Sequence, residues 1–437
     1  MTNNTHAGDG APRPSTTTPI DRPRGVAGKV NLRAGSADAV LAVVPHMLGF
    51  YPSQSLVVLG LGERNLVRVT FRYDLPSPPD AELSADIAEH AKYVLTREGI
   101  PSAMLIGYGP ADLVVAVIAA AAESLIGAGV RLQEVLRAEA GRYWSMLCND
   151  PMCCPPEGSP YDPGSHPAAA AMTAAGLTAH PDRAALVRTL QSPAGISDQV
   201  RQATNRARMR LAQVAAQSQT AGHTDPQLRV VRIGRTAVQR AIHCYRSGGS
   251  ISGRDQLAWL AVLLADLRVR DDAWARMDPT HHAAHCRLWT DVVKGAAPEF
   301  VPAPASLLAF AAWQAGNGAL AAVAVDRALA ANPDYSMAML LLGAIEAGLP
   351  PSAAKMPMSP AQVAASYAPV TSPARARTKA LRNTRRSGST SNREQPARAQ
   401  PIRAQPSRAA RAQSAHGRGL ENVRGEPPQR RRRIGQR

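Results

Sequence analysis

The sequence predicts an α/β N-terminal domain with a mixed sheet, followed by an all-α region that ends in a degenerate tetratricopeptide-like helical hairpin. Strand and helix patterns alternate over residues 29–147, which is typical of a sheet covered by helices. Strand patterns then fade, and both chain ends lack periodicity. We therefore divide the chain into a disordered arm (1–28), an α/β domain (29–165), a helical domain (166–350) and a disordered Pro/Ala/Gln/Arg-rich basic tail (351–437).

The first elements of the α/β domain lie in Ala37–Leu61, which predicts a helix, a turn and a buried strand in succession. The hydroxyl of Ser36 can accept a hydrogen bond from a first-turn amide. Because Pro45 lacks an amide hydrogen, we expect the helix to kink or restart there. Gly49 can end the helix in a left-handed conformation. Ser55–Leu61 is a continuous apolar run, the pattern of a strand buried on both faces.

The remaining elements follow from the period of the apolar residues. The predicted strands are Lys29–Arg33, Leu66–Tyr73, Met104–Tyr108, Val130–Ala138 and Arg142–Leu147, and the predicted helices between them are Asp80–Glu98 and Ala111–Ile126. We expect Leu66–Tyr73 to form a hairpin with the preceding strand, and the last two strands to form another. The predicted helices of the second region are Asp182–Leu190, Ser197–Gln217, Leu228–Tyr245, Asp255–Val269, Thr280–Lys294 and three short helices in Ala305–Ala347.

The three short helices match the tetratricopeptide pattern only in part. Leu308, Ala321, Ala328 and Pro333 fall in register, but alanines stand at the tryptophan, glycine and tyrosine positions of the first helix (Ala305, Ala309 and Ala312). We expect one degenerate unit packed on the rest of the domain, rather than a repeat array with a peptide groove.

Several segments carry a resemblance to a known family. The sequence DAVLAVVPHMLGFYPSQSLVVL at 38–59 is similar to the opening signature of the actinobacterial "domain of unknown function 4192" family. The stretch from Arg142 to Pro155, Val269–Trp274 and Ala311–Tyr335 resemble later parts of that family. The resemblance spans roughly residues 29–350. It implies an architecture and a bacterial lineage, and it supplies no catalytic residues.

The positive charge is concentrated at one end of the chain. The formal net charge is +17, but residues 371–437 alone hold 18 Lys or Arg and 3 acids, which leaves +2 for the rest. Five scattered cysteines and a polar N-terminus favour a reducing, cytoplasmic location. The longest apolar run, Leu113–Ala122, is too short to cross a bilayer, so we expect no membrane partner.

A glycine pair, Gly107 and Gly109, follows a predicted strand and opens a predicted helix. This context suits an anion site, because glycines let the backbone approach phosphate and the helix N-terminus attracts it. However, Asp112 replaces the third glycine of a dinucleotide fingerprint, and its carboxylate would repel phosphate. An ordinary strand–helix turn is the competing interpretation.

The most unusual local chemistry is the run Cys148-Asn-Asp-Pro-Met-Cys153-Cys154. Thiolates favour zinc, and Asp150, Glu157 or His166 could add ligands. Structural zinc sites usually present two cysteine pairs, whereas this run has C-x4-C-C spacing and no second pair. The spacing therefore favours small buried thiols in a Pro-rich turn and less than one equivalent of zinc, with a zinc site as the alternative.

A second metal candidate is His281-His282-Ala-Ala-His285-Cys286. On a helix, His281 and His285 share a face. A metalloprotease helix would need Glu where His282 stands, so a helix face without metal is the favoured interpretation.

The end of the basic tail is a candidate for nucleic-acid binding. Arginine pairs well with phosphate, but the tail has no aromatic residue on which bases could stack. We expect any binding to be independent of sequence. The candidate residues are Arg430, Arg431, Arg432 and Arg433.

Three functions remain open from the sequence. The leading one is a non-enzymatic binding or scaffolding protein with an unidentified protein partner. The second is a nucleic-acid-associated accessory factor that acts through the tail. The third is a metalloprotein or enzyme that uses the cysteine run.

Overall fold

In the computed structural model, the described residues are 36–193, 195–220, 226–353 and 358–367. They form a six-stranded sheet followed by a mostly helical region, which confirms the predicted fold class. The strands are β1 Ser55–Leu61, β2 Val67–Asp74, β3 Ser102–Tyr108, β4 Arg131–Glu139, β5 Arg142–Ser145 and β6 Ser159–Pro160. The helices are α1 Ala37–Leu48, α2 Ala81–Arg97, α3 Ala111–Gly127, α4 Pro167–Ala174, α5 Arg183–Arg188, α6 Ser197–Thr220, α7 Pro226–Arg246, α8 Arg254–Leu263, α9 Leu267–Ala275, α10 His282–Lys294, α11 Pro302–Gln314, α12 Gly318–Ala331, α13 Ser336–Glu346 and α14 Pro360–Ser366.

The sheet is mixed, with the strand order β2-β1-β3-β4-β5-β6. β1 pairs antiparallel with β2 and β3, whereas β3 and β4 are parallel. Because parallel strands need a crossover, the chain passes from β3 to β4 through α3. β4 and β5 form an antiparallel hairpin, whose two turn residues, Ala140 and Gly141, both have positive φ. Both predicted hairpins are therefore confirmed.

The two faces of the sheet belong to two different hydrophobic cores. Leu56 and Val58 of β1 pack with residues of α2 and α3 on one face. Val57, Leu59 and Leu61, which alternate with them, pack with α1 and with the helical region on the other face. This alternation follows from the period of two along a strand. The second core crosses the boundary that the sequence places between 165 and 166, so the sheet and the helices share one apolar interior.

Several local features differ from the sequence prediction. Pro45 lies inside α1 without ending it, and Ser36 makes no side-chain cap hydrogen bond, whereas Gly49 adopts the expected left-handed conformation with φ 78°. The single helix predicted at Asp255–Val269 is two helices. The break occurs at Asp266, whose carboxylate accepts a hydrogen bond from the amide of Arg268 and so caps α9. The strand predicted at Lys29–Arg33 lies outside the described residues.

Helical order extends beyond the predicted end of the folded region at 350. α14 packs on α9 and begins with a capping box, in which Ser359 and Gln362 exchange hydrogen bonds between side chain and backbone. Val363 is fully buried, and the Tyr367 hydroxyl donates to the carboxylate of Asp271. The disorder predicted from 351 onward is therefore wrong for 360–366, because one buried side chain and one cap fix a helix too short to show periodicity. Within the described residues, no helix is long and apolar enough to span a membrane.

Candidate functional site

The candidate site lies in the turn that follows β5, at the edge of the sheet next to β6. Side chains of β5 hold the far end of this turn. The Arg142 guanidinium donates to the carbonyl of Gly158 at 2.7 Å, and the Trp144 indole N–H donates to the carbonyl of Pro156 at 2.9 Å. The guanidinium of Arg137 on β4 stacks 3.6 Å from the centre of the Trp144 ring. The sheet therefore fixes where the turn ends.

Asp150 folds the chain back on itself in the middle of the turn. Its carbonyl oxygen accepts hydrogen bonds from the amides of Cys153 at 3.1 Å and Cys154 at 2.7 Å. One carboxylate oxygen of Asp150 accepts from the amide of Met152 at 2.9 Å. As a result, the sulfur atoms of Cys148, Cys153 and Cys154 all lie within 4.8 Å of one another.

The three thiols are accessible, not buried. Cys153 is exposed and the other two are partly exposed, so the interpretation as small buried thiols is wrong. Apolar burial cannot hold this turn together, because Met152 between the cysteines is 94% exposed. The backbone hydrogen bonds to Asp150 hold it instead.

The pKa values of Cys148 and Cys154 are shifted in opposite directions. A hydrogen bond from the Asp150 backbone and hydrogen bonds from the other two thiols lower the pKa of Cys148. A hydrogen bond to Cys148, together with desolvation, raises the pKa of Cys154 to about 12. Cys148 is therefore the first of this pair to become a thiolate, and the Cys154 thiol is its hydrogen-bond donor.

The spacing of the three sulfur atoms is close to that of three ligands in a tetrahedral zinc site. Zn²⁺ binds thiolates at about 2.3 Å, which places two sulfur ligands of one ion roughly 3.8 Å apart. The three sulfur atoms lie within 4.8 Å of one another. Each therefore needs to move by only a fraction of an ångström to reach the spacing that a shared zinc ion requires. His166 is not available as a further ligand, because its Nδ1 accepts from the amide of Ala168 and its Nε2 lies 3.6 Å from a carboxylate oxygen of Asp38.

The histidine candidates are not brought together as a site. His281 lies in a 3-10 turn before α10, and its Nδ1 contacts the carboxylate of Asp278 at 2.8 Å. His285 lies inside α10, is 1% exposed, and accepts a hydrogen bond through Nε2 from the amide of Asp278. Burial lowers the pKa of His285 to about 4. This histidine is a neutral core residue, and among the described residues only the cysteine turn gathers three potential metal ligands.

Gly107 and Gly109 have separate structural roles. A Cβ atom at Gly107 would lie 2.2 Å from a methyl group of Val114, so this glycine lets α3 pack directly on β3. Gly109 has φ +140°, which favours glycine, and its amide donates to the carbonyl of Ala138. Close packing thus accounts for the first glycine and the strand–helix turn for the second. An anion site there stays an untested prediction, and the tail arginines Arg430, Arg431, Arg432 and Arg433 lie outside the described residues.

Sequence reasoning missed a network of charged residues in the helical region. The Asp272 carboxylate is almost fully buried and accepts hydrogen bonds from the Arg276 guanidinium at 2.6 and 3.0 Å. Arg235 of α7 lies 3.7 Å from the same carboxylate. The spacing of four residues between Asp272 and Arg276 was a usable signal, because such pairs face each other on a helix.

The neighbouring residues extend this network to the end of the fold. Arg270 pairs with Asp271 at 2.6 Å and donates to the Tyr335 hydroxyl at 3.2 Å. Asp271 also accepts the hydrogen bond from Tyr367 that anchors α14. These charges are paired with one another, so the network joins α7, α9, α14 and the segment before α13.

The fold and the site together define a class of protein: a mixed sheet that shares one apolar face with a helical region and carries a cysteine turn at one edge. The chain belongs to the family described as Domain of unknown function (DUF4192), whose model matches residues 38–352. This match confirms the family resemblance seen in the sequence. No curated protein and no solved structure matches the chain.

Proposed function

We propose that this chain is a non-enzymatic binding protein whose ligand site is the cysteine turn, and that the ligand is a soft divalent metal ion such as Zn²⁺. The observation that carries the proposal is the convergence of the three sulfur atoms of Cys148, Cys153 and Cys154 within 4.8 Å. This convergence supports metal binding more strongly than the C-x4-C-C spacing opposes it, because ligand geometry depends on the folded turn rather than on spacing along the chain.

The turn is suited to metal without a large rearrangement. Its fold rests on the hydrogen bonds of Asp150 and on the anchors from Arg142 and Trp144, none of which uses a sulfur atom. A preformed site loses less conformational entropy on binding. Cysteine-rich ligand sets are typical of structural zinc sites, which favours a binding role over catalysis.

The fourth coordination position would face solvent. Cys153 is exposed, so a side chain from a partner protein could complete the tetrahedron and give the four protein ligands that are typical of a structural site. The partner itself stays unidentified. The proposal also includes the actinobacterial lineage that the sequence predicts. It includes the predicted cytoplasmic location as well, because a reducing compartment keeps the thiols available. A role of the tail in nucleic-acid association remains a separate prediction.

The test is metal analysis of the purified, tag-free full-length chain by inductively coupled plasma mass spectrometry. We expect about one equivalent of zinc per chain after purification or after zinc loading and desalting. Cys148→Ser, Cys153→Ser and Cys154→Ser should each lose most of it, whereas Cys244→Ser, a thiol outside the turn, should keep it. Substitution with Co²⁺ should give thiolate-to-cobalt charge-transfer absorption in the same pattern.

Two results would overturn the proposal. One is a zinc content well below one equivalent even after loading. The other is stoichiometric zinc that survives all three serine substitutions, which would place the metal elsewhere. A melting temperature measured for each variant separates loss of metal from loss of fold.

A further inference from the structure

Two neighbouring helices of the folded region carry an unusual density of positive charge. α6 and α7 pack against each other and together hold nine arginines and a single carboxylate, Asp198. Residues 1–370 as a whole have a net charge of only +2, so the positive charge of the folded region is gathered on this pair. The arginines are Arg201, Arg206, Arg208, Arg210, Arg229, Arg232, Arg235, Arg240 and Arg246.

Some of these arginines are occupied by neighbours. Arg206 pairs with Asp255 at 2.6 Å, Arg246 lies 3.5 Å from Asp278, and Arg210 stacks over the Trp259 ring at 4.5 Å. These contacts attach the two helices to the rest of the fold, and the three arginine side chains that form them are not available to a ligand.

Other arginines of the pair are available. Arg208, Arg232 and Arg240 are exposed and form no ion pair with any described residue. Arg232, Thr236 and Arg240 follow one another at intervals of four residues, so they line one face of α7, and all three are exposed. On α6, Asn205 and Arg208 lie three residues apart and are also exposed.

The exposed side chains of α6 and α7 indicate what kind of partner this surface can bind. Guanidinium groups form paired hydrogen bonds with phosphate oxygens, and the side-chain amide of Asn205 is a further donor, whereas the Thr236 hydroxyl donates to the carbonyl of Arg232. Tyr245 is the one Phe, Tyr or Trp residue in the two helices and it is buried, so the exposed His243 is the single ring that these helices offer to unpaired bases. A regular array of phosphates on a duplex fits this surface better than a single-stranded nucleic acid does.

We infer that the exposed face of α6 and α7 binds the phosphate backbone of duplex nucleic acid independently of base sequence, and that Arg208, Arg232 and Arg240 supply the contacts. The residues of this surface are different from those of the cysteine turn and from those of residues 371–437. It adds a contribution from the helical region to the attraction that the sequence assigns mainly to residues 371–437.

The test measures binding of the full-length chain to a fluorescein-labelled duplex by fluorescence anisotropy over a series of salt concentrations. The variant combines Arg208→Glu, Arg232→Glu and Arg240→Glu. The matched control combines Arg64→Glu, Arg68→Glu and Arg131→Glu, three exposed arginines around the sheet that undergo the same change in charge. Two unrelated duplex sequences check that binding does not depend on sequence.

Each phosphate contact contributes about 0.9 to the slope of log K against log salt concentration. We expect the variant to bind at least about tenfold more weakly at low salt and its slope to be smaller in magnitude by roughly 2 to 3. The control should keep the slope of the unchanged protein. An equal slope in variant and unchanged protein would overturn the inference, as would equal losses in variant and control.

Chemical footprinting provides a second readout that needs no variant to fold. Modification of the unchanged full-length protein by phenylglyoxal, read by mass spectrometry, should show duplex protection at Arg208, Arg232 and Arg240. Arg64, Arg68 and Arg131 should be modified equally with and without duplex. Protection by a poly-glutamate peptide but not by duplex would assign the face to an acidic protein partner and overturn the inference.

Discussion

The guanidinium of Arg97 lies 2.5 Å from the carbonyl oxygen of Gly348, 251 residues further along the chain. Its other terminal nitrogen donates to the carbonyl of Ala347 at 2.7 Å. These carbonyls end α13 and have no partner within the helix, so a cation at this point also meets the negative end of the helix dipole. One side chain at the end of α2 therefore connects the α/β layer with the last helix of the predicted hairpin.

We predict that Arg97→Ala lowers the free energy of unfolding by about 1–3 kcal/mol, because it removes two hydrogen bonds from a charged donor. Urea denaturation followed by circular dichroism measures this change. Lys92→Ala, on the same helix with an exposed partner at Glu89, should change stability by less than about 0.5 kcal/mol. Equal effects of the two substitutions would show that Arg97 does not connect the two regions.

The strand β1 allows a sharper test of the buried core. Leu56→Asp or Val58→Asp should unfold the folded region, because each places an unpaired carboxylate at a fully buried position of the sheet. The penalty is several kcal/mol, comparable with the whole stability of a domain. Val115→Asp on α3, where the side chain is 42% exposed, should remain folded. Thermal denaturation distinguishes them, and a soluble Leu56→Asp protein with an unchanged midpoint would contradict the prediction.

Buried His285 should make stability depend on pH. Burial, and then the nearby positive charges of His282 and Arg246, lower its pKa from 6.5 to about 4. Between these two values the unfolded chain binds a proton that the folded chain does not, so stability is full above pH 6.5 and falls as the pH drops toward 4. His285→Gln should flatten this part of the pH profile of the urea midpoint, whereas His243→Gln, at an exposed position, should not. A profile with the same slope in both variants would exclude His285 as the cause.

Metal affinity should rise with pH. The Cys154 thiol, with its pKa raised to about 12, must lose its proton when it becomes a metal ligand. Each proton released strengthens apparent zinc binding by about tenfold per pH unit. Competition with a chromophoric chelator at about pH 6, 7 and 8 measures this dependence. An affinity that does not change over this range would argue against thiol ligands.

The C-terminal limit of the folded region can be tested by proteolysis. Limited digestion should leave a core that ends beyond Tyr367 rather than at 350, because Val363 and the Tyr367–Asp271 hydrogen bond attach α14 to α9. Val363→Asp should release α14 and move the cleavage limit back toward 350. Intact-mass spectrometry of the fragments reads both limits. Early cleavage inside 55–147 would contradict the α/β domain altogether.

Elements with strong local patterns could be predicted from the sequence. The helix expected at Ala111–Ile126 is Ala111–Gly127 in the structure, because an apolar run with a proline before it fixes both its type and its start. Ser55–Leu61 is a strand with the predicted bounds, since a run of branched apolar residues is itself the signal. α14 could not be predicted, because its stability comes from a distant helix.

The candidate site was predictable in its residues but not in its geometry. The cysteines stand out in the sequence, yet their spacing differs from the usual paired pattern. What brings them together is the carbonyl of Asp150, which accepts two amides of the turn, and no composition rule contains that information. The Arg270 and Asp272 network was missed for a related reason. Two of its partners, Tyr335 and Tyr367, lie 65 and more residues away.

The division of β1 between two cores affects the order in which the chain can fold during synthesis. Leu56 and Val58 find their partners within α2 and α3, which leave the ribosome soon afterwards. Val57, Leu59 and Leu61 share a core with residues as distant as Leu341. At about 5–20 residues per second, the last 200 or so residues of that core arrive roughly 10 to 40 s after the sheet. Throughout this interval, one side of the newly made sheet is an unfinished apolar surface, and binding by a chaperone there would protect the nascent chain from aggregation.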